Sequence, residues 1–230
     1  MPSDRPIGIF DSGIGGLSVL GHIRQLLPRE QLIYVSDRAH LPYGTKQEAF
    51  VLGRAQHITR FLLQRQVKAI VIACNTATAA AVKHLRAAHD LPIVGMEPGV
   101  KPAIQVSARG RIGVLATQGT LSSGKFQSLL YKHAQESEVI ICPCEGWVEA
   151  IEFKGPEHHE TLKLVHQQLL PVLETGVDTL VLGCTHYPFL KPSIEKSAGS
   201  TVRIIDTGPA VARQLFRRLE ELDLLNGGDQ

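Results

Sequence analysis

Short runs of apolar residues recur along the chain, each bounded by Gly, Pro or polar turn residues: Ile7–Phe10, Leu32–Val35, Ala69–Ala73, Pro92–Gly95, Ile112–Ala116, Val139–Cys142, Thr179–Gly183 and Val202–Asp206. They are mostly apolar throughout rather than alternating, which predicts strands buried on both faces. Helical periodicity fills the intervals. Val51, Ala55, Ile58 and Leu62 share one helical face, and Thr45 with Glu48 forms a candidate capping box before them. Leu162, Val165, Leu169 and Val172 form another face, with Pro171 expected to kink that helix. After Thr207, Pro209 takes a first-turn position, and Val211, Leu215, Leu219 and Leu222 follow on one side. Buried strands alternating with helices predict an α/β fold with parallel sheets covered on both faces.

The pattern also repeats. Ile7-Gly8-Ile9-Phe10-Asp11-Ser12 resembles Ile112-Gly113-Val114-Leu115-Ala116-Thr117, and Ala69 to Thr76 resembles Thr179 to His186. Any two βαβ units look somewhat alike. A cysteine at the carboxyl end of the third strand in both halves goes beyond that likeness. The expected architecture is two similar parallel-sheet α/β domains related by pseudo-twofold symmetry, residues 1–97 plus 208–230 and residues 98–207. The active site is expected in the cleft between them.

Composition narrows the function classes. Of 230 residues, 43% are hydrophobic and 20% charged, which excludes a disordered chain. Net charge is +2 with Lys and Arg dispersed, so no nucleic-acid-binding arm is written here. Apolar stretches such as Ala69 to Cys74 are too short to span a bilayer, and Met1 to Phe10 does not read as a secretory signal. Four cysteines make no disulfide framework, so reduced thiols in a cytoplasmic setting are expected.

Ligands of open α/β sheets bind beyond the carboxyl ends of strands. Asp11-Ser12-Gly13-Ile14-Gly15-Gly16 follows the first strand and either presents backbone N–H groups to an anion or is a tight turn capped by Asp11. Cys74-Asn75-Thr76 opens a helix, whose N-terminus favours a thiolate. Cys184-Thr185-His186 holds the matching place in the second half. Two thiols flanking one carbon suit deprotonation on one face and reprotonation on the other. Asp11 is the candidate helper of Cys74; His186 and Glu152 are those of Cys184. Gly119 to Phe126 nearly matches a P-loop, but Phe126 stands where magnesium needs a hydroxyl. Cys142 and Cys144, with Cys184 and His186, number enough for zinc, but the C-x-C spacing is unusual and no metal is expected. His158-His159 reads as a solvated helix face.

Ile9 to Gly16, Leu41-Pro42-Tyr43-Gly44-Thr45, Ala73 to Ala77, Glu97-Pro98-Gly99, Gly113 to Ser123 and Gly183-Cys184-Thr185-His186-Tyr187-Pro188 together resemble the glutamate racemases of the aspartate/glutamate racemase superfamily. That resemblance implies cofactor-free interconversion of L- and D-glutamate by two cysteines, with Cys74 acting on the D form and Cys184 on the L form. Asp11, His186 and Glu152 would assist. Asp11, Ser12, Pro42, Tyr43, Gly44, Asn75, Thr76, Thr120, Thr185 and His186 would hold substrate. The product would feed bacterial peptidoglycan from the cytoplasm, and a homodimer is the expected assembly. Ser36 and His40 depart from the residues usual there, and the chain is shorter than many members. Competing readings are a racemase of another amino acid, such as aspartate, and a phosphate- or nucleotide-binding module built on the near P-loop.

Overall fold

The apolar runs form two separate parallel sheets in the computed structural model, which describes residues 3–134 and 136–227. The first unit comprises the chain up to Met96 and from Gly208 onward; the second is Glu97–Thr207. In chain order the first holds β1 (Ile7–Asp11), α1 (Leu17–Leu26), β2 (Leu32–Ser36), α2 (Glu48–Leu63), β3 (Ala69–Ile72), α3 (Asn75–Ala88) and β4 (Ile93–Val94). The second holds α4 (Val100–Val106), β5 (Arg111–Ala116), α5 (Gln118–Leu121), α6 (Gly124–His133), β6 (Glu138–Pro143), α7 (Trp147–Phe153), α8 (His159–Glu174), β7 (Thr179–Leu182), α9 (Lys191–Ala198) and β8 (Arg203–Ile205). Helix α10 (Gly208–Glu221) returns to the first unit.

Strand order is β2-β1-β3-β4 in the first sheet and β6-β5-β7-β8 in the second. The period of two along a strand explains why the central strands are apolar throughout. Ile7 and Ile9 of β1, with Ala69 and Val71 of β3, pack under α1 and α10 against Val19, Ile23, Val211 and Leu215. Phe10, Ile70 and Ile72 point the other way, against Val51, Ala55, Ile58 and Leu62 of α2 and Ala77, Ala81 and Leu85 of α3. Both faces are covered, so no polar position is tolerated until the strand ends. Burying each large aliphatic side chain is worth roughly 1.5–3 kcal/mol.

Two local expectations are corrected. Thr45 does not cap α2: it lies in a 3-10 turn (Tyr43–Thr45), its Oγ1 bonds the Pro42 carbonyl, and Gln47 occupies the N-cap without a side-chain bond. The prolyl turn takes the hydroxyl that the capping box needed. Helix α8 runs without interruption through Pro171. The carbonyl that loses its partner belongs to Gln167, and both it and Pro171 are exposed residues. Leu222 lies past the end of α10 and is 44% exposed. The Leu224 N–H turns back to the Leu219 carbonyl, and Leu224 and Leu225 cover the apolar cluster instead.

One buried ion pair ties the first unit together away from the strand ends of interest. Lys68 Nζ lies 2.6 Å from Glu30 Oε2, with side chains 0% and 2% exposed. Nζ also donates to the Ser3 carbonyl, and Glu30 Oε1 accepts the Asn226 N–H at 2.8 Å, which fastens the chain beyond α10. Removing one partner strands the other charge in the interior. Lys68→Met should therefore cost about 3–5 kcal/mol, and the double variant Lys68→Met/Glu30→Gln clearly less. Urea denaturation of the three proteins checks the order.

Candidate active site

In each sheet the chain leaves the first strand toward one edge and returns on its other side. The crevice of the first sheet therefore opens between β1 and β3, and that of the second between β5 and β7. The polar residues of interest gather at those two points.

In the first unit, Phe10 pairs with Ile72, and the Ala73 N–H reaches the Phe10 carbonyl at 2.8 Å. That register sets Asp11 and Cys74 at neighbouring strand ends. Asp11 is fully buried. Its Oδ1 accepts the Ser12 N–H and its Oδ2 the Gly16 N–H, both at 2.6 Å. The carboxylate thus organises the glycine loop that opens α1. Gly16 has no room for a side chain: a Cβ there would lie 2.8 Å from both Asp11 Cβ and Tyr34 Oη. Tyr34 Oη holds the loop from the neighbouring strand through the Gly13 carbonyl at 2.6 Å.

Cys74 is the N-cap of α3, and its Sγ accepts the Ala77 N–H at 3.4 Å. A thiolate accepts that bond better than a thiol, and the positive end of the helix adds to the preference. Asn75 follows, 4% exposed, and neither its Oδ1 nor its Nδ2 finds a partner in the protein. A buried amide with both ends idle is costly unless a ligand completes it. Ser12, Tyr43, Gly44 and Thr76 are also buried, and Pro42 half-buried, in this unit.

In the second unit, the Gly183 N–H bonds the Leu115 carbonyl at 2.7 Å and brings the end of β7 close to β5. A Cβ at Gly183 would sit 2.8 Å from Ala116 Cβ and 2.9 Å from that carbonyl oxygen, so only glycine permits the approach. Cys184, Thr185 and His186 come next, all buried. His186 Nδ1 lies 3.7 Å from Cys184 Sγ, and its Nε2 lies 2.8 Å from Glu152 Oε1 on α7. Glu152 and His186 side chains are each 1% exposed. The carboxylate calls for the ring proton on Nε2, which leaves the Nδ1 lone pair facing the thiol. The array can take a proton from Cys184 and return it. Thr120 is buried beside β5, its hydroxyl 3.1 Å from that of Thr117.

Residues 7–215 match the family model described as Asp/Glu/Hydantoin racemase. The chain belongs to this racemase family. A glutamate racemase of Methylococcus capsulatus is 53% identical over 223 residues, covering 97% of this chain and 82% of that protein. Among solved structures, Escherichia coli glutamate racemase in complex with L-glutamate and the activator UDP-MurNAc-ala superposes with a TM-score of 0.88 at 37% identity, covering 94% of this chain and 83% of that one. The Francisella tularensis glutamate racemase in complex with D-glutamate gives 0.84 at 35%, covering 99% and 85%. The chain is an isomerase of this family.

The near P-loop does not form a phosphate cradle. Gln118–Leu121 and Gly124–His133 are helical, Ser123 caps the second through the Phe126 N–H, and Lys125 pairs with Glu97 at 3.0 Å. Among the described residues no group of three or more His, Cys, Asp or Glu side chains is arranged to hold a metal. His158 is exposed and caps α8, accepting the Glu160 N–H, and exposed His159 begins that helix.

One cluster escaped the sequence reading. Asp37, at the end of β2, receives Arg54 in a two-pronged bond, Nε to Oδ2 and Nη2 to Oδ1, both 2.9 Å. Tyr43 donates its hydroxyl to Asp37 Oδ2 at 2.5 Å, and His40 Nδ1 lies 3.0 Å from Oδ1. Asp37 thereby holds Tyr43 beside the Cys74 strand end. Its signal was faint: a carboxylate just beyond β2, and one arginine within the α2 repeat. Burial alone would raise the Asp37 carboxyl, but the bonds from Arg54, Tyr43 and His40 bring it below the ordinary value. Burial, then the Asp37 bond, push the Tyr43 hydroxyl well up.

A carboxylate lowered in the folded state contributes stability above its unfolded pKa of about 3.9, which is lost as pH falls through the folded value. Asp37→Asn should therefore destabilise the protein at neutral pH, with the gap to wild type closing below about pH 4. Denaturation midpoints measured across that range check it.

Proposed function

We propose that this protein interconverts L- and D-glutamate without a cofactor, using Cys74 and Cys184 as the two bases. The observation that carries the reading is the Glu152–His186–Cys184 array at the end of β7, matched by Cys74 capping α3 at the corresponding strand end of the other sheet. Relatives and solved structures bearing the name glutamate racemase support glutamate over other amino acids.

The chemistry follows from the groups. Removing an α-proton and returning one to the opposite face is simplest with two bases, one deprotonated and one protonated at the start of each turnover. The helix N-terminus and the Ala77 N–H favour a Cys74 thiolate. His186, oriented by Glu152, relays the proton of Cys184. The substrate's charges would be met by the idle amide of Asn75 and by the hydroxyls of Ser12, Thr76, Thr120 and Thr185. D-Glutamate so made would enter bacterial peptidoglycan in the cytoplasm. No described helix is long and apolar enough to cross a membrane.

Circular dichroism of L- or D-glutamate with the purified protein reads the reaction directly. Cys74→Ser and Cys184→Ser should each nearly abolish it, since a serine hydroxyl is a far poorer base than a thiolate. Elimination from β-chloroglutamate needs only the abstracting base. Cys74→Ser should retain it mainly with the L form and Cys184→Ser mainly with the D form. Racemisation intact in either variant, or the same enantiomer preference in both, overturns the two-base reading.

His186→Asn and Glu152→Gln should slow the direction served by Cys184 by about 10²–10⁴-fold and the other direction less. Rates in both directions near wild type would remove these residues from the mechanism.

A further inference from the structure

Two cysteines outside the reacting pair form a cluster of their own. Cys142 lies on β6, an edge strand of the second sheet, and Cys144 follows one residue beyond the strand end. Their sulfurs are 3.7 Å apart, with Cys144 donating toward Cys142 Sγ and, at 3.4 Å, toward the Cys142 carbonyl. Cys142 is buried, retaining 6% of its surface, and its Sγ also donates toward the Gln168 carbonyl of α8 at 3.7 Å. The two sulfurs therefore form a close pair at the sheet edge.

The two thiols are not equivalent. The bond from Cys144 draws the Cys142 thiol below its ordinary value; burial first, then Cys142, pushes Cys144 well up. One is disposed to attack and the other to wait, which is the division of labour of an attacking and a resolving thiol.

We propose that Cys142 and Cys144 are a modification site for hydroperoxides, closing to an intramolecular disulfide. The Cys142 thiolate attacks one peroxide oxygen and the O–O bond breaks. Water leaves from hydrogen peroxide, or an alcohol from an organic hydroperoxide, and Cys142 becomes a sulfenic acid. Cys144 then attacks that sulfur; the S–O bond breaks and the hydroxyl departs as water with the Cys144 proton. Two thiols are oxidised by two electrons and one peroxide is reduced.

Residues two apart on a strand have Cα atoms roughly 6.6 Å apart, near the upper end of the disulfide range of about 4.4–6.8 Å. Closure thus draws Cys144 toward β6, and a dithiol reductant reverses the strained bond. The movement has a built-in reporter. The Cys144 carbonyl accepts the Trp147 N–H and the Tyr187 hydroxyl, each at 3.5 Å. Trp147, the only tryptophan of the chain, meets Tyr187 edge-on with ring centroids 4.9 Å apart.

The four free cysteines include only this pair once Cys74→Ser and Cys184→Ser are combined. Treated with hydrogen peroxide, that double variant should become two hydrogens lighter and lose both alkylatable thiols together. Its tryptophan fluorescence should change, and dithiothreitol should restore mass, thiols and fluorescence. With Cys144→Ser added, dimedone should capture a sulfenic acid at Cys142. Peptide mapping of the wild-type protein after the same treatment should find the 142–144 cross-link, which covers any misfolding of the variants. A wild-type 142–144 peptide that keeps both thiols, gains oxygen irreversibly or cross-links to another chain overturns the proposal. None of these readouts depends on racemisation, so the site stands or falls apart from the proposed reaction.

Discussion

A parallel strand buried on both faces admits polar side chains only where it ends. That constraint governs this protein. Ile7 to Phe10, Ala69 to Ile72 and Thr179 to Leu182 are wholly buried. Asp11 accordingly stands at the last position of its strand, and Cys74 and Cys184 just past theirs. The connections diverge between β1 and β3, and again between β5 and β7, the kind of position at which open α/β sheets bind ligands.

The two cysteines stand in different local surroundings. Cys74 meets the backbone: its Sγ accepts an amide N–H at the N-terminus of α3, and the neighbouring Asp11 carboxylate accepts the N–H groups of Ser12 and Gly16. Cys184 meets side chains: a buried carboxylate bonds an imidazole, and the imidazole faces the thiol. Burying Glu152 and His186 is unfavourable for either alone. Each satisfies the other, so the pair behaves as one unit whose geometry is set by α7 and by the chain leaving β7.

Supporting contacts lie farther out. Asp37 gathers Arg54, His40 and Tyr43 at the end of β2, and Tyr187 meets Trp147 edge-on in the second unit. The Cys142–Cys144 pair adjoins these two rings through the carbonyl that Trp147 and Tyr187 share.

The sequence by itself determined the strands, because continuous apolar runs between turn residues have few other outcomes, and it determined the buried helix faces through their 3.6 spacing. It also exposed Cys74 and Cys184, since each follows such a run directly. Local polar competition was not legible. Thr45 read as a helix cap until the Pro42 carbonyl claimed its hydroxyl, and Leu222 read as core until the chain turned back after Glu221. Only the tertiary structure decided that Glu152 meets His186 across 34 residues, that Arg54 and Tyr43 converge on Asp37, and that Asn75 is buried with its amide unpaired. Periodicity records which side of an element faces the core; partners distant along the chain are chosen by how the packed elements align, and no local pattern encodes that choice.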